Sequence, residues 1–186
     1  TMHRVFDSAY MFNRNLTAWD TSSVTEMNHM FTYAHQFNGE VNGWDTSNVR
    51  NMYYMFHYAH DFDQDLDKWD TSSVTDMHYM FEYAHDFNGK VGTWDVSQVT
   101  SMRFMFRFCY VFNQNVSSWD TSRVTDMSYM FYDAHLFTYD VSKWIGSAAT
   151  SYQSEMFSGA TAFKAKYWCP DVNRGPPTPV SYTHLR

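Results

Sequence analysis

A repeat of 25 residues occupies almost the whole chain, and it restricts the possible folds more than any other feature. Valine, methionine and phenylalanine keep this spacing, as at Val74, Met77 and Phe87. Tryptophan keeps it too, at Trp19, Trp44, Trp69, Trp94, Trp119 and Trp144. A fixed period of this length is typical of proteins in which each copy packs only against its neighbours. The sequence therefore predicts a solenoid with one continuous apolar core.

We expect the repeats to cover residues 1–168, with residues 1–18 matching the second part of a copy. Five full copies follow, at 19–43, 44–68, 69–93, 94–118 and 119–143. Residues 144–168 form a degenerate last copy, in which Met156 and Phe157 arrive one residue late, as expected of a cap. Because the chain begins within a copy, we expect a fragment of a longer array whose partners include further repeats.

Residues 169–186 leave the period and are rich in proline, which predicts an irregular tail. Within it, residues 180–186 resemble the translation of a sequencing adapter, an artefact to be excluded from fold reasoning.

Each copy contains a helical pattern of apolar residues. In the copy that begins at Trp69, the apolar positions fall on one face at 3.6 residues per turn; they are Met77, Met80, Phe81, Ala84 and Phe87. Thr75 and Asp76 predict a helix start, and Asn88 with Gly89 a stop that has access to positive φ. The preceding segment 70–74 is rich in Ser, Thr and Val, which favours a short strand. The predicted fold class is α/β, a right-handed leucine-rich-repeat-like solenoid with one short parallel strand and one short helix per repeat.

Composition excludes some functions. The formal net charge is −7 without clusters of Lys or Arg, which argues against nucleic acid as a partner. No apolar run of about 18 residues is present, so we expect no membrane-spanning segment. The sequence lacks phosphate-binding loops, zinc-protease motifs and nucleophile elbows, and it predicts no enzyme and no catalytic residue. Cys109 stands in a column of alanines, which predicts a small buried thiol, and a disulfide to Cys169 is not expected.

Two columns raise the question of metal binding. One column is aspartate, at Asp20, Asp45, Asp70, Asp95 and Asp120. Each is followed two residues later by serine, which favours a structural turn over calcium, since no repeat offers about six oxygen ligands. The other is histidine, at His35, His60, His85 and His135. Without nearby cysteine these single imidazoles do not complete a tetrahedral set, and we expect no metal and no cofactor.

Aromatic pairs four residues apart point away from the predicted core stripe. They are Tyr54 with Tyr58, Tyr79 with Tyr83, and Phe104 with Phe108. One interpretation is that large rings fill the space between neighbouring helices, which need a wider spacing than strands. The other is that they form a ligand-binding patch, because an exposed aromatic surface often marks a partner site.

Two neighbouring rows of threonine could order water on a flat surface, so ice binding is a further, less favoured alternative. The rows are Thr21, Thr46, Thr71 and Thr121, and Thr25, Thr75, Thr100 and Thr125. Helix caps and strand propensity also account for these threonines.

The pattern WDTSSVTDMxYMFxxAxxFN, with the return loop FNQNVSSWDTS at 112–122, resembles the repeat of the BspA-like surface proteins, a leucine-rich-repeat family. The resemblance covers about residues 1–168. It implies a secreted or cell-surface protein used in adhesion or in binding protein or glycan on another cell or matrix, without a catalytic centre. The competing hypothesis is a structural spacer or filament element without a specific ligand.

Overall fold

The computed structural model describes residues 1–144, 153–168 and 183–184. Its regular elements lie at the C-terminal end. Helix α1 spans Thr161–Lys166, strand β1 spans Tyr167–Trp168, and strand β2 spans Thr183–His184. The two strands pair antiparallel. Of the tail predicted to be irregular, residues 183–184 form β2, whereas 169–182, which include Cys169, and 185–186 lie outside the described residues. Residues 145–152 of the degenerate copy lie outside them as well.

Successive copies lie on one another and are joined by backbone hydrogen bonds. In the copy that begins at Trp44, alternate N–H groups donate to carbonyl oxygens of the next copy, as from Tyr54 to His78 over 3.1 Å and from Tyr58 to Glu82 over 2.9 Å. The N–H groups between them bond within the copy, as from His57 to the Tyr54 carbonyl oxygen over 3.2 Å. The amides of this segment therefore have acceptors without forming a helix or a continuous strand.

The short strand predicted at 70–74 is not present. The parallel pairing is reduced to single bridges, one residue per copy, at Glu26, Asn51, Asp76, Ser101 and Asp126. Residues 72–73 instead form a turn, because the Asp70 carboxylate accepts hydrogen bonds from both the N–H and the hydroxyl of Ser72. The same aspartate turn recurs at Asp20, Asp45, Asp95 and Asp120, which confirms the predicted structural turns.

The predicted helix of each copy is also wrong for the described repeats up to residue 144, where these residues form turns. Two residues per copy, four positions apart, adopt positive φ, as at Tyr79 with 59° and Tyr83 with 61°. Such residues interrupt a right-handed helix. The apolar stripe nevertheless faces the interior as predicted, since Met77 and Phe81 are fully buried. The two successive turns in each copy thus bury residues at the same sequence spacing as a helix would.

This geometry gives a direct test at Tyr79. In a helix, alanine stabilises relative to glycine by about 1 kcal/mol. At φ 59° the order reverses, because an L side chain costs roughly 1–2 kcal/mol in the left-handed region and glycine does not. We expect Tyr79→Gly to be more stable than Tyr79→Ala, measured by urea unfolding. A higher urea midpoint for the alanine variant would contradict the turn geometry.

The core consists of aromatic ladders, in which equivalent rings of successive copies stack. Indole centroids lie 6.1–6.5 Å apart from Trp44 to Trp144. Each indole N–H donates to a carbonyl oxygen 28 residues earlier, as from Trp69 to Val41 over 2.9 Å. Phenylalanine rings from Phe31 to Phe131 stack at 5.4–5.7 Å. Ring stacking and buried indole hydrogen bonds together fix each copy on its neighbour.

An asparagine ladder holds the return loop. It consists of Asn13, Asn38, Asp63, Asn88 and Asn113. Each side-chain oxygen accepts the N–H of the residue 25 positions later, at 2.8–3.0 Å. Asn88 therefore links copies and does not end a helix, and Gly89 does not adopt positive φ. Glycine is required at 89 because a Cβ there would collide with the carbonyl oxygen of Gln64.

Candidate binding surface

The predicted site residues form two parallel ladders on one face. The first tyrosine ladder is His29, Tyr54, Tyr79, Phe104 and Tyr129, with ring centroids 4.4–4.9 Å apart. The second tyrosine ladder is Tyr33, Tyr58, Tyr83 and Phe108, with centroids 4.2–4.9 Å apart. The described repeats up to residue 144 contain no helices for these rings to separate, so the interpretation as spacers between helices is wrong. The rings stack on one another, and all six predicted residues belong to one surface.

The ladder residues are those with positive φ. His29, Tyr54 and Phe104 in the first ladder have φ of 57–59°, and Tyr58 and Phe108 in the second have 58–60°. A large aromatic residue is uncommon in this region of φ. The positive φ directs each side chain away from the core. The contact of its ring with the equivalent ring of the next copy offsets the energetic cost of this backbone conformation. Ser8 and Asp133 occupy the same column as the second ladder with φ of 61° and 56°, so the backbone does not require an aromatic residue there.

The rings present their edges to solvent because their faces are covered by neighbouring rings. Most ladder residues are partly buried, and Tyr33 is the most exposed, at 37%. Burial raises the pKa of Tyr54 to about 12, with a further contribution from neighbouring Tyr79. Burial likewise raises the pKa of Tyr58 to about 12, assisted by a hydrogen bond with Tyr83. The surface at neutral pH therefore carries neutral phenol hydroxyls.

A histidine ladder runs beside the second tyrosine ladder. It consists of His35, His60, His85, Tyr110 and His135, with centroids 4.4–5.2 Å apart. Burial lowers the pKa of His60 and of His85, and for His60 the two neighbouring imidazoles lower the pKa further. Stacked imidazoles favour the neutral form because protonation would bring like charges together.

The histidine ladder predicts a loss of stability in acid. A base whose pKa is lowered by folding takes up its proton more readily in the unfolded chain. The stability that each neutral histidine contributes is therefore complete above the ordinary histidine pKa of 6.5 and is lost as pH falls below it. His29, outside this ladder, has a pKa lowered to about 4, so the loss of stability continues toward that pH. We expect the urea midpoint to fall between about pH 7.5 and pH 5. The double variant His60→Tyr and His85→Tyr, which follows the natural example of Tyr110, keeps the stack and should show a smaller fall. An equal fall in both proteins would contradict this role of the ladder.

Between the two tyrosine ladders lies a column whose residues differ in every copy. This central column is Asp7, Thr32, His57, Glu82, Arg107 and Tyr132. The Glu82 carboxylate lies 2.9 Å from His57 Nε2 and accepts a hydrogen bond from Arg107 Nη1 over 2.7 Å. The Glu82 side chain is only 4% exposed and that of His57 10%. Three ionisable side chains from three copies thus form a chain between aromatic walls, in which Glu82 and His57 are buried and Arg107 is 26% exposed.

Arg107 is enclosed by rings from both ladders. Its Cζ lies 5.3 Å from the Phe104 centroid and 4.5 Å from the Phe108 centroid, with Tyr83, Tyr129 and Tyr132 within 5.9 Å. The ring quadrupole attracts a cation over the face of an aromatic ring. The space between the ladders is therefore suited to a guanidinium group.

Other proposed chemistries find less support in the described residues. No group of three or more His, Cys, Asp or Glu side chains there could hold a metal ion. The threonine row that includes Thr21, Thr46 and Thr71 is buried, and its hydroxyls donate to carbonyl oxygens of the next copy. The neighbouring row is exposed, and three of its hydroxyls donate to carbonyl oxygens of the preceding copy; it consists of Thr25, Thr75, Thr100 and Thr125. Cys109 is buried as predicted, and burial raises the pKa of its thiol well above the ordinary value.

Sequence reasoning did not find the chain of His57, Glu82 and Arg107. The sequence did contain an indication of this chain. Most columns of the repeat keep one residue type, whereas this column changes from Thr to His to Glu to Arg, and such a column can form a site that occurs once in the array. The opposite charges at Glu82 and Arg107, one period apart, were visible in the sequence.

These features define a class: a repeat protein whose stacked copies enclose an aromatic core and present aromatic ladders on one face. A protein family described as "Mycoplasma protein of unknown function, DUF285" matches residues 1–73 and 62–168, and the chain belongs to this family. Comparison with curated proteins gave no match, and comparison with solved structures gave none. Among the described residues, no helix is long and apolar enough to cross a membrane.

Proposed function

We propose that the chain is a non-catalytic binding module, part of a right-handed leucine-rich-repeat-like solenoid of the BspA-like type, displayed at the cell surface or secreted. Its contact surface is the face formed by the two tyrosine ladders, and its partner is a protein on another cell or matrix. The observation that carries this proposal is the position of Tyr54, Tyr58, Tyr79 and Tyr83, which are stacked and partly exposed outside an already complete core.

The orientation of the rings favours a protein over a glycan as the partner. A sugar ring binds best against the open face of an aromatic side chain, whereas Tyr54 and Tyr79 lie face to face at 4.4 Å and 11°. The accessible groups are ring edges and phenol hydroxyls. Tyrosine presented in this way gives a large, rigid contact area at low cost in conformational entropy, as in many protein interfaces.

The structural spacer remains the second candidate. The observation that favours it is the continuity of backbone bonds, indole ladders and phenylalanine ladders through the described repeats, which would suit a stiff rod.

Binding to intact cells tests the proposal. The variant Tyr58→Ser with Tyr83→Ser interrupts the second ladder and follows the natural example of Ser8 at the same position. We expect retention of the module on cells to fall about tenfold or more, as for residues at the centre of an interface, while the variant stays folded with a loss of about 1 kcal/mol for each ring removed from the stack. The control variant Glu40→Ser with Lys68→Ser alters exposed residues outside the ladders and should bind normally.

Pretreating the cells separates the possible partners. Protease treatment should abolish retention of the unmodified module, and glycosidase treatment should leave it intact. The reverse result would assign a glycan. Unchanged retention of the Tyr58→Ser, Tyr83→Ser variant would remove the ladders as the contact surface, and its unfolding would favour the structural spacer.

A further inference from the structure

We propose that the ladder face recognises an arginine side chain of its partner, which inserts between the two tyrosine ladders above Thr32 and beside His57. This inference rests on the proposed function and specifies the chemistry of the partner. The chain itself supplies the template, because Arg107 occupies the same column with its guanidinium between the rings of both ladders.

Thr32 is the short member of the central column. Its hydroxyl donates to the Tyr54 carbonyl oxygen over 2.7 Å, so its side chain is directed to the backbone and does not extend as Arg107 does. The walls continue past it, since His29 stacks on Tyr54 at 4.7 Å and Tyr33 on Tyr58 at 4.9 Å. Thr32 thus lies beneath aromatic walls; it is only 4% exposed, so an entering guanidinium must displace the ring edges above it, and the wall residue Tyr33 is exposed.

His57 has a ring nitrogen without a hydrogen-bond partner. Its Nε2 lies 2.9 Å from the Glu82 carboxylate, which can only accept, so Nε2 donates this hydrogen bond; in the neutral ring the other nitrogen, Nδ1, is then an acceptor. Among the described residues no atom makes a hydrogen bond to the buried Nδ1. A buried acceptor without a donor is uncommon and calls for an explanation. A guanidinium N–H one copy away, at the Thr32 position, would supply the missing donor.

The charge of the surrounding face is complementary to an arginine. The segments that carry the ladders are 1–10, 26–35, 51–60, 76–85, 101–110, 126–135 and 153–160, and they contain seven acidic residues against three arginines. Arg4 is already paired with Asp7 at 3.7 Å, and Arg107 with Glu82 at 2.7 Å. An acidic, aromatic face attracts a cationic segment and repels an anionic one.

The probe is the capped peptide Gly-Arg-Gly, with Gly-Glu-Gly as its matched control, titrated into the full chain and followed by calorimetry and by the imidazole NMR signals of His57. We expect saturable binding of the arginine peptide with a shift of the His57 signals, and no binding of the glutamate peptide. Thr32→Arg places the chain's own guanidinium in the site, by analogy with Arg107, and should weaken peptide binding about tenfold or more. Thr32→Ser keeps the site open and should bind like the unmodified chain.

The inference is overturned if the arginine peptide does not bind, if the glutamate peptide binds equally well, or if Thr32→Arg binds the arginine peptide as tightly as Thr32→Ser does. Should Thr32→Arg fail to fold, by its urea midpoint, the ring variant Tyr33→Ser replaces it, and its unchanged peptide affinity would equally overturn the inference. Failure here is distinct from failure of the proposed function. In that case the unmodified chain would still be retained on cells although it does not bind the arginine peptide, whereas Tyr58→Ser with Tyr83→Ser would not be retained.

Discussion

Replacing Phe81 by alanine should lower the free energy of unfolding by about 3 to 5 kcal/mol, the range for a fully buried phenylalanine. The Phe81 ring stacks on Phe87 within its own copy at 4.0 Å, on Phe56 at 5.5 Å and on Phe106 at 5.6 Å. Alanine would leave a cavity between three copies, and the fixed backbone bonds on either side limit its collapse. Urea unfolding of the variant measures the loss.

Tyr110→Ala is the matched control for Phe81→Ala. Tyr110 also belongs to an aromatic ladder, but it is 36% exposed and its removal opens no cavity in the core. We expect a loss of about 1 kcal/mol or less, close to the value of one aromatic pair. If Phe81→Ala costs no more than Tyr110→Ala, the phenylalanine ladder does not hold the copies together.

Glu82→Met should be the most damaging of the charge substitutions, at about 3 kcal/mol, because it leaves Arg107 between aromatic rings without its carboxylate and removes the partner of His57 Nε2. Adding Arg107→Met to the same chain should recover much of the loss, since two apolar side chains of similar length can replace a buried ion pair. Thermal or urea unfolding of the single and double variants measures both effects.

Asp65→Asn provides the comparison for Glu82→Met. Asp65 pairs with Lys90 at 2.6 Å, but both side chains are largely exposed, at 44% and 60%. Solvent and salt screen such a pair, so we expect its removal to change the urea midpoint little. A Glu82→Met variant as stable as Asp65→Asn would show that the buried chain has no special energetic role.

Burial could be predicted from the sequence because the repeat places the same residue type at the same depth in each copy. Met77 and Phe81 were assigned to the interior by periodicity alone, and both are fully buried. Conformation could not be predicted in the same way. Positive φ at Tyr79 and Tyr83 runs against the preference of L residues, and propensity rules assign such residues to a helix or a strand. Gly89 was predicted to be needed for positive φ. It is needed instead because the carbonyl oxygen of Gln64 lies where a Cβ would be.

The candidate surface could be located by sequence as pairs of aromatic residues four positions apart, which the turn geometry also places on one side. That they form a ladder over successive copies follows from the 25-residue period, but ring centroids as close as 4.2–4.9 Å could not be predicted, because the expected helices would have held them farther apart. The contacts of Glu82 with His57 and Arg107 were not predicted. The repeat is recognised from columns that keep the same residue type, and the column of Glu82 changes in every copy.

The different ring spacings described above have a consequence for the form of a longer array. Equivalent points in adjacent copies are related by one screw operation, and their displacement is smallest near its axis. The tyrosine ladders advance by 4.2–4.9 Å per copy and the indoles by 6.1–6.5 Å. The phenol side therefore lies on the inner curve of an arc and the indole side on the outer one. Each additional copy would extend this arc. The phenol hydroxyls of distant copies would then face the same space on its inner side, so that one partner could contact several copies.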